Sequence, residues 1–185
     1  MRKLVYGINM TLDGNCDHTK GNADEELHDY FTNLLRNAGT LVYGRKTYEL
    51  MVPFWPDMAQ NNSAPTKALA DFAAVFHSLD KVVFSKTLEK VDDENTRIIN
   101  GNLHNEVMKL KQEAGKDLFL GGVDLPSQLI AHDLVDEFVI VVHATIAGEG
   151  RRLMQGVSLP QQLQLKLVDT RVFQSGNVAM RYAKQ

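Results

Sequence analysis

Short apolar runs alternate with helical patterns along most of this chain, and this alternation restricts its fold more than any other feature. The runs at Leu4–Ile8, Lys81–Ser85 and Asp117–Leu120 have the length of buried strands, whereas Leu103–Ala114 repeats apolar residues at a helical period. Further on, EFVIVVHAT is a continuous apolar run, and Ser175-Gly176 predicts a hairpin turn. We therefore predict a three-layer α/β fold with a mostly parallel sheet and an antiparallel C-terminal edge.

The helical segments between these strands carry recognisable start and stop residues. Asn22 is the predicted N-cap of the first long helix, with Glu25 three residues later in a capping box. A second helix is predicted over Thr66–Phe76. The prolines of Pro53-Phe54-Trp55-Pro56 predict a loop, since proline interrupts a helix interior.

Composition narrows the range of functions. The chain has 185 residues, 44% of them hydrophobic, which suits one domain spanning 1–185. Its 20 basic and 23 acidic residues form no basic stripe, so we expect neither nucleic acid nor a membrane as partner. Cys16 is the only cysteine, and no apolar run approaches the roughly 18 residues of a membrane helix, so we expect a cytoplasmic protein. The six histidines lack metal-ligand spacing, and we predict no metal.

Three predicted strands, one of them the apolar run Leu41-Val42-Tyr43, are followed by glycines, cations or hydroxyl residues. These groups are Gly44-Arg45-Lys46-Thr47, Ser85-Lys86-Thr87 and Gly121-Gly122. In an open α/β sheet, ligands bind beyond the carboxyl ends of the strands, so we expect the three groups to line one crevice. Glycines let backbone amides approach oxygen atoms, helix starts offer unpaired N–H groups, and cations balance negative charge. The combination predicts a phosphorylated ligand.

Two of the three groups carry cations, which indicates two separated phosphates. A dinucleotide with an extra ribose phosphate has this arrangement, so the sequence favours NADPH over NADH. The alternative is that the glycines only form tight turns and that Arg45, Lys46 and Lys86 are solvated surface charges. A further glycine segment, Gly148–Arg152, is not a Rossmann motif, because Leu153 takes the place of the third glycine.

The substrate side of the predicted site is less sharply defined. Asp13 in the first loop and Glu26 in the first long helix are candidates for protonating a substrate, although acids in a first helical turn also offset the helix dipole. Trp55 either stacks on a planar substrate or anchors its loop against the body. Arg151 either holds a substrate anion or belongs to an exposed loop.

Several motifs, taken in order, resemble those of a known family. They are T-L-D-G, D-E-E-L-H-D-Y-F, A-G-T-L-V-Y-G-R-K-T-Y-E, V-F-S-K-T-L, F-L-G-G and D-L-V-D-E-F. Over Leu4 to Tyr182 the chain resembles the dihydrofolate reductase-like proteins, in the branch similar to the reductase domain of bacterial riboflavin biosynthesis. Cys16–Ala23 lacks the proline and tryptophan of true dihydrofolate reductases, and one cysteine does not supply the zinc deaminase half of the bifunctional riboflavin enzyme.

The resemblance implies a sheet of about eight strands, an NADPH site and a homodimer. Gly44–Thr47 would hold phosphates at a helix start, and Ser85–Thr87 would receive the 2′-phosphate. Gly121 and Gly122 would let the pyrophosphate or nicotinamide approach the backbone. Asp13 and Gly14 would belong to a mobile loop over the nicotinamide, and Phe138–Val142 with the C-terminal strands would supply the dimer surface.

Three alternative functions are consistent with these observations. The first is an NADPH-dependent oxidoreductase that transfers hydride to a small heteroaromatic or imine-like substrate, pyrimidine-like or pterin-like, as a 5-amino-6-(5-phosphoribosylamino)uracil reductase does. The second is a non-catalytic module that binds a nucleotide or another small molecule on the same fold, which the lack of a clear general acid favours. A third, a dimeric interaction protein, predicts no nucleotide affinity.

Overall fold

Strands and helices alternate through the chain before a final pair of strands. A computed structural model describes residues 1–185. The strands are β1 (Leu4–Thr11), β2 (Ala38–Gly44), β3 (Asp80–Phe84), β4 (Thr96–Ile99), β5 (Asp117–Leu120), β6 (Glu137–His143), β7 (Leu165–Val172) and β8 (Val178–Lys184). The helices are α1 (Glu25–Arg36), α2 (Arg45–Met51), α3 (Phe54–Asn61), α4 (Lys67–Ser78), α5 (Leu103–Gln112) and α6 (Asp124–Ala131). A helix long and apolar enough to cross a membrane is not among them.

The eight strands form one mixed sheet in the order β4-β3-β2-β5-β1-β6-β8-β7. β2, β3 and β4 pair in parallel, as do β1 and β6, whereas β8 pairs antiparallel with both β6 and β7. This confirms the predicted α/β fold class and its antiparallel C-terminal edge. The chain divides into two compact units, the first formed by residues 1–2 and 23–119 and the second by residues 3–22 and 120–185. A single domain over the whole chain stays a prediction.

The first unit places the ends of two strands side by side. β2 and β3 are in register so that Gly44 pairs with Phe84, and β3 and β4 pair Phe84 with Ile99. The interiors of β2 and β3 are buried, with Val42 and Val83 at 1% exposure or less, whereas β4 is only partly buried. Because the three strands are parallel, the segments that follow Gly44 and Phe84 leave the sheet at the same edge.

The start of α1 differs from the prediction. Asp24, not Asn22, is the N-cap, and its carboxylate accepts a hydrogen bond from the Leu27 backbone N–H at 2.8 Å. The backbone N–H of Asn22 instead donates to His143 Nδ1 at 3.1 Å. A cap of this kind stabilises a helix by about 1 kcal/mol. The predicted cap is wrong because Asn22 is engaged by a tertiary contact.

The predicted loop around Trp55 is also wrong, because the segment begins helix α3. Pro53 is the N-cap residue and Pro56 lies in the first turn. The N–H groups of a first turn have no partner within the helix, so a proline there costs no hydrogen bond. By contrast, the second predicted helix begins as expected, with Thr66 capping the Leu69 N–H at 3.4 Å.

The second unit contains β1, β6, β7 and β8. β1 pairs with β6 from Val5 opposite Glu137 to Thr11 opposite His143, so it is longer than the apolar run that predicted it. β7 is the last strand of the sheet, and the side chains along it are exposed, including Leu167, Val168 and Val172.

Candidate functional site

In the first unit, Arg45 joins two of the predicted phosphate-binding groups. The Arg45 guanidinium donates to Thr87 Oγ1 at 2.8 Å and to Glu49 Oε1 at 2.6 Å. Its side chain remains 47% exposed. Gly44 is the N-cap residue of α2 and has no side chain to occupy the helix start. The contact with Thr87 confirms that the segments after β2 and β3 lie together.

The segment after β3 is a tight turn held by Ser85. The Ser85 hydroxyl accepts hydrogen bonds from the backbone N–H groups of Thr87 at 3.2 Å and Leu88 at 2.9 Å. Lys86 projects from this turn and is exposed, as is Lys46 in the first turn of α2. Arg45 and Lys86 are thus exposed cations on neighbouring segments, which fits the binding of a phosphate group.

Glu26 and Trp55 are the other predicted site residues of the first unit. Glu26 lies in the first turn of α1 and is half-buried. The Trp55 ring contacts Phe72 edge-on at a centroid distance of 4.5 Å and lies 4.9 Å from Phe54. These contacts anchor α3 against α4, which is one of the two roles predicted for Trp55. Stacking on a substrate stays a prediction.

In the second unit, Asp13 ties together the segments that follow β1 and β6. Its carboxylate accepts hydrogen bonds from the Thr11 hydroxyl at 2.5 Å and from the backbone N–H groups of Ala147 at 3.0 Å and Gly148 at 2.8 Å. These donors, with the Thr11 hydroxyl first, lower the pKa of Asp13 to about 2. Asp13 therefore carries a negative charge at neutral pH. Proton donation by Asp13 stays a prediction, and this pKa opposes it.

Gly14, Gly122 and Arg151 also lie in the second unit. Gly14 turns the chain after β1 with a φ of 80°, and Gly122 has a φ of 96°, a region that favours glycine. The Gly122 carbonyl accepts a hydrogen bond from the buried Tyr6 hydroxyl at 2.9 Å. The exposed Arg151 side chain forms an ion pair with Asp124 in the first turn of α6. A substrate anion would therefore compete with Asp124 for Arg151.

A buried histidine, His143, also fixes the loop after β1. His143 is 2% exposed, and its Nδ1 accepts the Asn22 N–H. Its Nε2 then carries the proton and donates to Asn9 Oδ1 at 3.2 Å, a tautomer assigned from these partners. The Asn177 side chain donates to the Asn22 carbonyl at 3.1 Å. The only hint in the sequence is that His143 ends the long apolar strand.

The fold defines the class of protein. A mixed eight-stranded sheet of this kind is shared with dihydrofolate reductase from Enterococcus faecalis, solved in complex with NADP(H) and RAB-propyl, at a TM-score of 0.63 and 14% identity over 99% of this chain and 96% of that one. A putative riboflavin biosynthesis protein from Shewanella sp. PV-4 matches at a TM-score of 0.74 and 19% identity, over 99% of both chains. The dihydrofolate reductase-like fold is thereby confirmed.

The sequence then identifies the family. The chain belongs to the RibD C-terminal domain family, whose model matches residues 2–179. It is 35% identical over 185 residues to the uncharacterized protein YyaP of Bacillus subtilis (strain 168), covering 98% of this chain and 94% of that protein. Family and fold together support a reductase-type function.

Proposed function

We propose that this protein is an NADPH-dependent reductase that acts in the cytoplasm on a small heteroaromatic or imine-like substrate of the pyrimidine or pterin kind. The observation that carries the proposal is the contact between Arg45 and Thr87, which assembles exposed cations from the segments after β2 and β3 in a chain of the RibD C-terminal domain family. The 5-amino-6-(5-phosphoribosylamino)uracil skeleton is the first substrate to test, because a structural match from Thermotoga maritima is named a reductase of that compound.

The residues of the first unit would hold the phosphorylated part of the cofactor. Arg45 and Lys86 supply charge for the 2′-phosphate, and Thr87 supplies a hydroxyl that Arg45 positions. Gly44 leaves the start of α2 accessible. That Gly121 and Gly122 let the nicotinamide approach the backbone stays a prediction. When bound, NADPH supplies the hydride that reduces the substrate.

Glu26 is the better of the two candidates for a proton donor. Asp13 is ionised and its oxygens are committed to the Thr11 hydroxyl and to two backbone amides. Glu26 is half-buried in the first turn of α1. In this scheme Asp13 holds the segments around it in place and Glu26 delivers the proton.

We expect replacement of Glu26 by glutamine to lower kcat by about 100-fold or more, the usual contribution of general acid catalysis, with little change in NADPH affinity. Turnover is measured as loss of NADPH absorbance across a panel of pyrimidines, pterins and quinonoid acceptors. Glu25→Gln is the matched control, since Glu25 lies in the same helical turn but is exposed. Equal effects of the two substitutions would remove Glu26 from the mechanism.

The low pKa of Asp13 also favours a second candidate function, a binding module without catalysis. It would bind NADPH or another small molecule through the same cations and lack a competent acid. Titration of NADPH against Trp55 fluorescence, combined with the turnover panel, separates the two functions. Tight binding without turnover on any acceptor would support the module, and no binding at all would contradict both.

We further propose that the protein is a homodimer whose interface includes β7. Phe138, Val139 and Val141 of β6 are buried within the subunit, so they do not offer the surface expected from the sequence. Val168 and Val172 on β7 are 57% and 73% exposed and are suited to burial against a second copy. Val168→Lys should then shift the protein to monomer in sedimentation equilibrium. A wild-type protein that is monomeric at all concentrations would exclude the dimer.

A further inference from the structure

A polar cleft of about 410 Å³ opens in the first unit at the amino-terminal ends of its strands. Its walls come from the starts of β2, β3 and β4, the chain after α5, and Arg2. The carboxyl-terminal ends of the same strands carry Arg45 and Lys86, so this cleft is a separate site from the proposed cofactor site. Its volume is within the range of small-molecule sites, and its lining is dominated by charged and hydroxyl residues.

Arg2 is a buried cation in the wall of this cleft. Its side chain is only 5% exposed, and its guanidinium donates to the Lys116 carbonyl and to Thr40 Oγ1, the latter at 2.7 Å. A guanidinium has five N–H donors. The remaining contact, from Nη1 to Glu113 Oε2 at 3.6 Å, is an ion pair too long for a normal hydrogen bond. Arg2 therefore retains donor capacity directed to an acidic neighbour.

Two glycines leave space around this guanidinium. A Cβ atom at Gly39 would lie 3.2 Å from Arg2 Nη2, and one at Gly115 would lie 3.6 Å from Arg2 Cζ. Gly115 also has a φ of 139°, which side chains rarely adopt. The guanidinium is thus bordered by backbone at Gly39 and Gly115 and by the Thr40 and Glu113 side chains that it contacts.

The Glu113 carboxylate contacts both arginines of this cleft, Arg2 and Arg97. It accepts two hydrogen bonds from Arg97 Nη2, at 2.8 and 3.0 Å, and forms the longer ion pair with Arg2. The Glu113 side chain is 42% exposed and lies just beyond the end of α5, so burial does not hold this side chain in place. Two arginines on different segments therefore converge on one exposed carboxylate.

The charges of the lining favour a small anion over a polyanion. The lining includes the cations Arg2, Lys81, Arg97 and Lys116 and the acids Asp80, Glu94 and Glu113. Lys81 is paired with Asp93, and Lys116 Nζ donates to the Arg36 carbonyl. The acids at the rim, Asp80 and Glu94, oppose a highly charged ligand. A single phosphate or carboxylate group, taking the place of the Glu113 carboxylate between Arg2 and Arg97, would leave the local charge nearly balanced.

We propose that this cleft is a binding site for a small polar metabolite through one phosphate or carboxylate group, held by Arg2 and Arg97, and that Glu113 competes with the ligand for the two arginines. Glu113 moves out toward solvent as the oxyanion enters. The site does not depend on the reductase function proposed above, because it shares no residue with it.

The test is calorimetric titration of the whole chain with inorganic phosphate and, in parallel, with succinate, at constant ionic strength. Glu113→Gln removes the competing charge, so we expect it to tighten binding of phosphate, succinate or both by about tenfold, the equivalent of one charge-assisted hydrogen bond. Adding Arg97→Ala to this variant should abolish the gain. Glu106→Gln is the matched control, because it makes the same change in α5 at a residue that pairs with Lys109 and does not line the cleft.

A gain in affinity is a result that misfolding does not produce, which keeps the test informative if substitutions at Arg2 prevent folding. Tighter binding in Glu113→Gln alone supports the site, and the probe that responds identifies the phosphate or the carboxylate group. Equal affinities in the wild type, Glu113→Gln and Glu106→Gln, or no binding in any of them, would overturn it.

Discussion

The double substitution Arg45→Ala and Lys86→Ala should weaken NADPH binding by roughly 100-fold or more and leave NADH affinity almost unchanged. A hydrogen bond to a charged group contributes about 1.5–3 kcal/mol, so two such contacts to the 2′-phosphate account for at least this difference. NADH lacks that phosphate and has little to lose. The measurement is a fluorescence titration with each nucleotide, with Trp55 as the reporter.

The structure adds a refinement to this expectation. Arg45 already pairs with Glu49 at 2.6 Å, so a bound phosphate must share its guanidinium with a carboxylate. Glu49→Gln should therefore strengthen NADPH binding modestly. Lys90→Ala serves as the control, since Lys90 is exposed a few residues beyond Lys86. Equal losses for NADPH and NADH in the double variant would refute the assignment of the 2′-phosphate.

Replacement of Asp93 by alanine should lower the free energy of unfolding by about 3 to 5 kcal/mol, because it leaves a buried ammonium group without its counter-ion. The Lys81 side chain is fully buried, and its Nζ lies 3.3 Å from Asp93 Oδ2. The ammonium would keep the carbonyls of Leu79, at 2.9 Å, and His77, at 3.3 Å, and the Phe76 ring at 5.4 Å, but no carboxylate in direct contact. Asp93 also accepts a 2.6 Å hydrogen bond from Thr96, which adds to the loss.

The pH dependence distinguishes this cause from a loss of packing. Burial lowers the pKa of Lys81, and the charge of Asp93 opposes that shift. Without Asp93, the folded state holds the Lys81 proton less tightly than before. The unfolded state then binds more protons than the folded state over a wider range of pH below about 10. The free energy of unfolding therefore rises with pH across that range. Denaturant unfolding of Asp93→Ala should show recovery as the pH is raised from neutral. Asp92→Ala, an exposed neighbour, should change little, and adding Lys81→Met should restore part of the stability.

The fold was largely predictable because apolar periodicity reports which backbone segments are buried. β5 begins and ends as its apolar run predicts, and the alternation with helices gives the parallel direction. The errors have local physical causes. Asn22 has the chemistry of an N-cap, but its backbone is bound by His143, so Asp24 caps the helix. Proline interrupts a helix only in its interior, and Pro53 and Pro56 both lie at the start of α3.

The candidate site was predictable only in part. The contact between Arg45 and Thr87 is possible because two parallel strands end at one edge of the sheet. The sequence pattern predicts that both strands end there. The contacts of Asp13 with Ala147 and Gly148 span 134 and 135 residues, and no local pattern carries such information. The Thr11 hydroxyl, two residues away, lowers the pKa of Asp13 most, and these long-range contacts lower it further, which opposes a role as proton donor.

The pairing of β1 with β6 joins two strands that are synthesised at very different times. Val5 lies opposite Glu137 and Thr11 opposite His143, so β1 has this partner more than a hundred residues further along the chain. Contacts of such sequence separation are slow to form, since a long loop must close before they are gained. Residues 23–119 of the first unit are synthesised before β6, so they leave the ribosome while β1 is not yet paired with β6. We therefore expect the apolar β1 segment to lack its β6 partner until residues 137–143 have been synthesised.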